Sequence, residues 1–178
     1  MRKTLLTSTL ALTSLLSVAS YADNAGLSIS DDSAKFGYEH ETDTFSTQAN
    51  WLYHEDNGSL YSGGLYAKGQ EGMFSAKLGG KIYYADLEDG DGYGIALGGS
   101  GTLHITEQFR LIADLHYSPS ILAFSDIERL KEGEIKAQFQ ALPNATIDVG
   151  YRNVTAKVDH YGNEKIDKGL FAGVNMSF

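Results

Sequence analysis

The chain has 178 residues, with 14 lysines and arginines against 23 aspartates and glutamates, a formal charge of −9 and no cysteine. So acidic a protein is a poor match for nucleic acid, and without thiols it has no disulfides, thiolate metal sites or cysteine nucleophiles. Twenty glycines, eleven tyrosines and two prolines, Pro119 and Pro143, suit strands broken by turns, with rings near an interface.

Met1-Arg2-Lys3 is a basic start, residues 4–19 carry no charge, and Ser20-Tyr21-Ala22 fits the small-x-small rule of signal peptidase. Residues 1–22 therefore read as a cleaved signal peptide, with the cut before Asp23 and residues 23–178 as one domain. The stretch 4–19 is short and rich in Thr and Ser, and no later run approaches the roughly 20 apolar residues of a transmembrane helix. A bilayer-spanning role then falls to strands.

Period-two alternation marks strands along the rest of the chain. A short strand at 26–30 turns at Asp31-Asp32 into 34–41. Phe45, Ala49, Trp51 and Tyr53 oppose Ser46, Gln48 and Asn50, and Phe74, Ala76, Leu78 and Ile82 oppose Ser75, Lys77, Gly79 and Lys81. Tyr93, Ile95, Leu97, Leu103 and Ile105 face away from Gly94, Ala96, Gly98, Ser100, Thr102 and His104. In 109–117 only Ile112 breaks the alternation, and Ile135, Ala137 and Phe139 oppose Glu134, Lys136, Gln138 and Gln140. Ile147, Val149 and Tyr151 oppose Asp148, Gly150 and Arg152. The last nine residues alternate apolar with small or polar and stop on Phe178, as bacterial outer-membrane barrels resembling this chain do. In such barrels Leu170, Val174, Met176 and Phe178 would present the last strand to the barrel-assembly machinery.

On this register the apolar faces carry no Asp, Glu, Lys or Arg. The opposite faces carry Lys35, Glu39, Lys77, Lys81, Arg110, Asp114, Glu134, Lys136, Asp148 and Arg152. A lysine or arginine facing lipid at mid-bilayer costs about 2–4 kcal/mol, so this segregation is what a membrane demands. A soluble barrel would show the same alternation turned inside out. Terminal Phe178, glycines on the polar face, and tyrosines near strand ends (Tyr53, Tyr61, Tyr84, Tyr93, Tyr117 and Tyr151) favour the membrane.

The expected fold is all-β, a transmembrane antiparallel up-and-down barrel of eight to ten strands. Ten follow if 26–30 is a strand, and eight if it and one weak neighbour lie outside. Counting back from a periplasmic C terminus places the links 159–165, 118–126, 85–92 and 55–59 outside. The links 141–144, 105–107, 69–72 and 41–44 fall inside, and the longer, more acidic links fall outside.

Ala49-Asn50-Trp51, the acidic turn Glu88-Asp89-Gly90-Asp91-Gly92-Tyr93, the corner Tyr117-Ser118-Pro119, the strand Val149-Gly150-Tyr151-Arg152 and the terminal 174–178, taken in order, resemble the YfaZ family of small gammaproteobacterial outer-membrane proteins. The resemblance implies a barrel fold and an outer-membrane address, and says little about activity.

Three features could carry chemistry. His116 and Ser118, at i and i+2 on one strand face, resemble the His-x-Ser pair of lipid A 3-O-deacylases, with Glu128 or Glu132 as an orienting acid. That pair faces lipid in those enzymes, whereas here it shares a face with Arg110 and Asp114; a hydrogen-bonded strand end is the plainer reading. Asp86, Glu88, Asp89 and Asp91 lack the ligand spacing of a calcium loop and read as a solvated turn, unless divalent cations bridge them to lipopolysaccharide phosphates. The lumen charges can pair into a salt-bridged plug or line a narrow path biased toward anions. The dispersed histidines His40, His54, His104, His116 and His160 form no metal set. No cofactor is expected. The expected surroundings are outer-membrane lipids and lipopolysaccharide around a monomer with a structural, adhesive or narrow-pore role.

Overall fold

The computed structural model describes residues 22–88, 90–159 and 162–178. Of the expected leader only Ala22 lies among them. Ten long strands follow the alternation: β1 Ala22–Ile29, β2 Ser33–Glu41, β3 Phe45–His54, β4 Gly58–Glu71, β5 Phe74–Leu87, β6 Gly90–His104, β7 Phe109–Ser118, β9 Ile127–Leu142, β10 Ala145–Val158 and β11 Gly162–Ser177. A three-residue strand, β8 Ala123–Ser125, sits in the β7–β9 link after a single 3-10 turn, Ser120–Leu122.

Every long strand pairs antiparallel with its sequence neighbour, and β1 pairs with β11 from Asn24↔Ser177 to Ile29↔Ala172, which closes the barrel at ten strands. Asp23 and Phe178 exchange backbone hydrogen bonds at the seam. Closure leaves no unpaired edge among the long strands, the condition for burying strands in lipid. An even strand number puts both termini at one end, which in this architecture is the periplasmic end.

The expected contrast between long outer and short inner links is not what the chain builds. The outer links shrink to turns at 30–32 and 55–57, and elsewhere the strands run on to Leu87, Gly90, Val158 and Gly162. The 119–126 link alone stays long, and it does sheet work. β7 stops where Tyr117 faces Leu97, so the outer part of β6 would lack a neighbour; β8 supplies one through Gly92↔Ser125, Tyr93↔Phe124 and Gly94↔Ala123.

The outer wall is apolar and exposed, with Leu78 70% and Leu170 75% accessible, alongside Leu65, Ile82, Ile135 and Val149. So much contiguous greasy surface is stable only against hydrocarbon. At its outer margin Trp51 stacks on Tyr61 with ring centroids 6.2 Å apart, Tyr61 on Tyr84 at 6.5 Å and Tyr93 on Phe124 at 5.5 Å. The six tyrosines expected at strand ends are all on this wall. Amphipathic rings sit best at the headgroup level.

Inside, glycine makes room for rings. A Cβ on Gly64 would sit 2.6 Å from the Tyr66 ring, and one on Gly94 2.6 Å from the Tyr83 hydroxyl. A barrel of about this size is filled by side chains only if large ones alternate with none.

Candidate functional site

The lumen is the candidate site, and it has two halves. The outer half is an apolar core of Leu52, Leu60, Tyr83, Ala85, Leu87, Ala96, Ile127, Leu130, Val154, Ala156, Val158 and Ile166, drawn from seven of the strands. Sequence reasoning missed it because the strands were ended too early: Tyr83, Ala85 and Leu87 continue the polar face of Lys77 and Lys81, and Val154, Ala156 and Val158 continue that of Asp148 and Arg152. A bulge in β11, with Ile166 unpaired opposite the Val154–Thr155 step, lets Ile166 and Asp167 both turn inward, Ile166 into the core. Across the mouth, the Asn57 side chain of the β3–β4 turn donates to the Lys165 carbonyl at 2.8 Å.

Below the core lies a belt of paired charges. Arg152, 2% exposed, binds Asp167 through Nε, lies 3.8 Å from Glu134, donates to Ser28 and Ser33 at 3.1 and 3.3 Å, and stacks 4.9 Å from the Phe171 ring centroid. Lys35 meets Glu134 at 3.0 Å and Lys81 meets Glu132 at 2.7 Å. Lys136 lies 3.4 Å from both Glu134 and Asp148, and Asp148 also accepts from Gln138 at 2.8 Å and Asn175 at 2.7 Å. Buried ions must be paired this thoroughly, since removing either partner leaves an uncompensated charge.

From the belt to the periplasmic mouth the lumen widens into a polar vestibule of about 1150 Å³. Lys35, Glu39, Lys77, Arg110, Asp114, Glu134, Lys136 and Asp148 line it, while Lys81 and Arg152 line a small cavity of about 50 Å³ above. All ten residues assigned to the polar face thus point into the lumen. Near the mouth Lys77 bridges Glu39 and Glu41, and Lys68 binds Glu41 at 2.6 Å. The additional members, Glu41, Lys68, Glu132 and Asp167, were legible from alternation once the strands were drawn long enough. Among the side chains described they bring the lumen to seven basic and seven acidic residues, which removes the anion bias expected from six against four.

His116 and Ser118 share the lumen face, but each is committed elsewhere. Tyr66 Oη lies 2.9 Å from His116 Nε2 and Asp114 Oδ1 2.8 Å from Nδ1, while Ser118, fully buried, accepts from the Tyr83 hydroxyl at 3.1 Å. No hydrogen bond joins the two, and Glu132 is held by Lys81 while Glu128 binds Lys157 on the other face. The pair forms polar lining under the apolar core, and the lipid-hydrolase reading has nothing in the geometry to support it. Asp86 faces Asp91 across the β5–β6 hairpin with Glu88 at its exposed turn, and Asp89 lies outside the described residues, as does His160. Among the described residues no group of three metal-ligating side chains comes together. Leu170, Val174 and Met176 point outward from β11, and Phe178 follows it at the seam, exposed.

A closed, even-stranded antiparallel barrel with an apolar outer belt, an aromatic margin and a charged interior is a small bacterial outer-membrane β-barrel of porin-like build. The chain belongs to the YfaZ family: the family described as YfaZ precursor matches residues 1–178. Outer membrane protein YfaZ of Escherichia coli (strain K12) is 33% identical over 145 residues, covering 80% of this chain and 79% of that one. Among solved structures, the outer membrane channel DcaP of Acinetobacter baumannii aligns with a TM-score of 0.49 at 12% identity over 82% of this chain, which spans about half of that channel (51%). The NanC porin (TM-score 0.48, 11% identity, 89% of this chain and 99% of that one) and the KdgM porin in complex with disordered oligogalacturonate (0.48, 13%, 88% and 99%) are similar along their whole length.

Proposed function

We propose that this protein works as a sealed outer-membrane barrel, a structural wall element whose polar vestibule opens to the periplasm and ends blind beneath an apolar stopper. One observation carries the reading: twelve apolar side chains from seven strands meet across the outer lumen, all at 8% exposure or less. An ion crossing that zone would shed its hydration beside little more than the Tyr83 hydroxyl, which is already donated to Ser118, at a cost of many kcal/mol. The charges of the belt, Lys35, Lys81, Lys136 and Arg152 with Glu132, Glu134, Asp148 and Asp167, support the same conclusion, since they hold one another rather than a passing solute. The outward side chains of Leu170, Val174, Met176 and Phe178 support a role for the last strand in presenting the chain to the assembly machinery, and the closed ring of strands is compatible with a monomer.

Single-channel recording of the refolded barrel in planar bilayers tests the seal. Wild type is expected to be silent, and Leu52→Ser combined with Leu60→Ser and Ile166→Ser to show discrete openings. Wild-type openings of the same size as the variant's would overturn the proposal and restore the narrow-pore reading.

A further inference from the structure

Residues 23–178 contain twelve basic side chains, of which Lys35, Lys68, Lys77, Lys81, Arg110, Lys136 and Arg152 face the lumen. The remaining five, Arg129, Lys131, Lys157, Lys165 and Lys168, all lie on the outer face of three adjacent strands, β9, β10 and β11. Registers fix their arrangement as rungs across the three strands. Ile135, Tyr151 and Leu170 form the highest apolar rung; above it come Gly133, Asn153 and Lys168, then Lys131, Thr155 and Lys165, then Arg129 and Lys157. Rungs are two residues apart, roughly 7 Å. Tyr117 of β7 stands directly beside Lys131, so the cations begin at the aromatic margin and climb outward from it. Lys131, Lys165 and Lys168 are exposed, and no carboxylate among the described residues pairs with any of them.

Elsewhere the outer rim is acidic. Asp31, Asp32, Glu55, Asp56, Asp86, Glu88 and Asp91 are exposed at the outer ends of β1 to β6. The sector also carries Asp126, Glu128 and Asp159 at the outer ends of β9 and β10, with Glu128 bound to Lys157, so its positive excess is concentrated on Lys131, Lys165 and Lys168, nearest the lipid-facing belt.

We infer that this sector is a binding site for the phosphorylated glucosamine headgroup of lipid A in the outer leaflet of the same membrane. The patch lies on the barrel wall, one to two rungs above the lipid-facing belt, where the headgroup of an adjacent outer-leaflet lipid must lie; a soluble protein would meet the loop tips first. Lysines supply charge-assisted hydrogen bonds to phosphate monoesters, Asn153 and Thr155 offer amide and hydroxyl groups to the sugar, and Leu170, Val149 and Ile135 receive the acyl chains below. Basic clusters beside a bilayer recognise anionic headgroups by this combination of charge and depth. The inference is independent of whether the lumen conducts.

The folded barrel in phosphatidylcholine nanodiscs, doped with bisphosphoryl lipid A or with the same lipid A stripped of phosphate, is ejected into a native mass spectrometer and the lipid-carrying fraction measured. Wild type is expected to retain the bisphosphoryl form at least about tenfold better than the stripped form, and Lys131→Glu with Lys165→Glu and Lys168→Glu to lose that preference. Asp32→Lys with Asp56→Lys, on the acidic side, is expected to retain it. Heat-modifiable migration on gels reports folding, and Lys131→Gln with Lys168→Gln gives a milder step should the charge reversals assemble badly. Equal retention of both lipids by wild type, equal preference in the lysine variants, or a second polypeptide in place of lipid A on barrels taken directly from outer membranes would each overturn the site.

Discussion

The two halves of the lumen solve one problem in opposite ways. Toward the periplasm the inward positions are Lys, Glu, Asp, Gln and Asn, and they survive burial by binding one another around an open vestibule. Toward the outside the inward positions of the same strands are Leu, Ile, Val, Ala and Tyr, which exclude water by packing. β10 shows the change within one strand: Thr146, Asp148 and Arg152 give way to Val154, Ala156 and Val158 on the same face. The lesson is that a barrel interior needs no uniform chemistry; it needs its buried charges compensated and its apolar groups dry.

The comparison is broken hardest in the charged half. Arg152→Met strands Asp167 without its cation, while Glu134 keeps Lys35 and Lys136, and is expected to destabilise the barrel by about 3–5 kcal/mol in urea titrations in lipid vesicles. Adding Asp167→Leu should recover much of that loss, and failure to recover would show that Arg152 acts through packing on Phe171 instead. In the apolar half, Leu130→Ala removes a fully buried side chain and should cost about 2–5 kcal/mol in the same titration. A change under about 1 kcal/mol would mean the stopper is loosely packed and the seal incomplete.

The outer wall provides the contrast for both halves. Leu78→Arg, at a position 70% exposed, is expected to cost about 2–4 kcal/mol when the barrel folds in a bilayer and little in short-chain detergent micelles. A soluble, inside-out barrel would show the reverse. Least affected should be Lys157→Gln, whose pair with Glu128 is over a third exposed on both sides; a loss within about 1 kcal/mol is expected, and a larger one would mark that pair as part of a tighter outer network.

Much of this was readable in the chain because strand alternation is local. Each of the ten assigned lumen charges sits two residues from another inward position, so Lys77 and Lys81, or Asp148 and Arg152, identify one another without knowledge of the fold. The short first strand was legible from parity. The outer stopper was not: Tyr83, Ala85 and Leu87 read as ordinary apolar residues at the edge of an acidic turn, and only their inward parity distinguishes them from the lipid-facing Tyr84. The bulge that turns Ile166 inward has no local signature, and the roles of Tyr66 and Tyr83 depend on glycines that make room for their rings.

The sequence alone determined the class: a leader-like start, no spanning helix, strands with one uncharged face, and a terminal aromatic strand, all set by period-two chemistry that each segment carries by itself. Tertiary structure alone decided that the lumen is stoppered at one end and open at the other, and that the outward cations gather on one sector. Both depend on which residues of different strands come level with one another, and level is fixed only when β1 pairs with β11 and the register of the whole ring is closed.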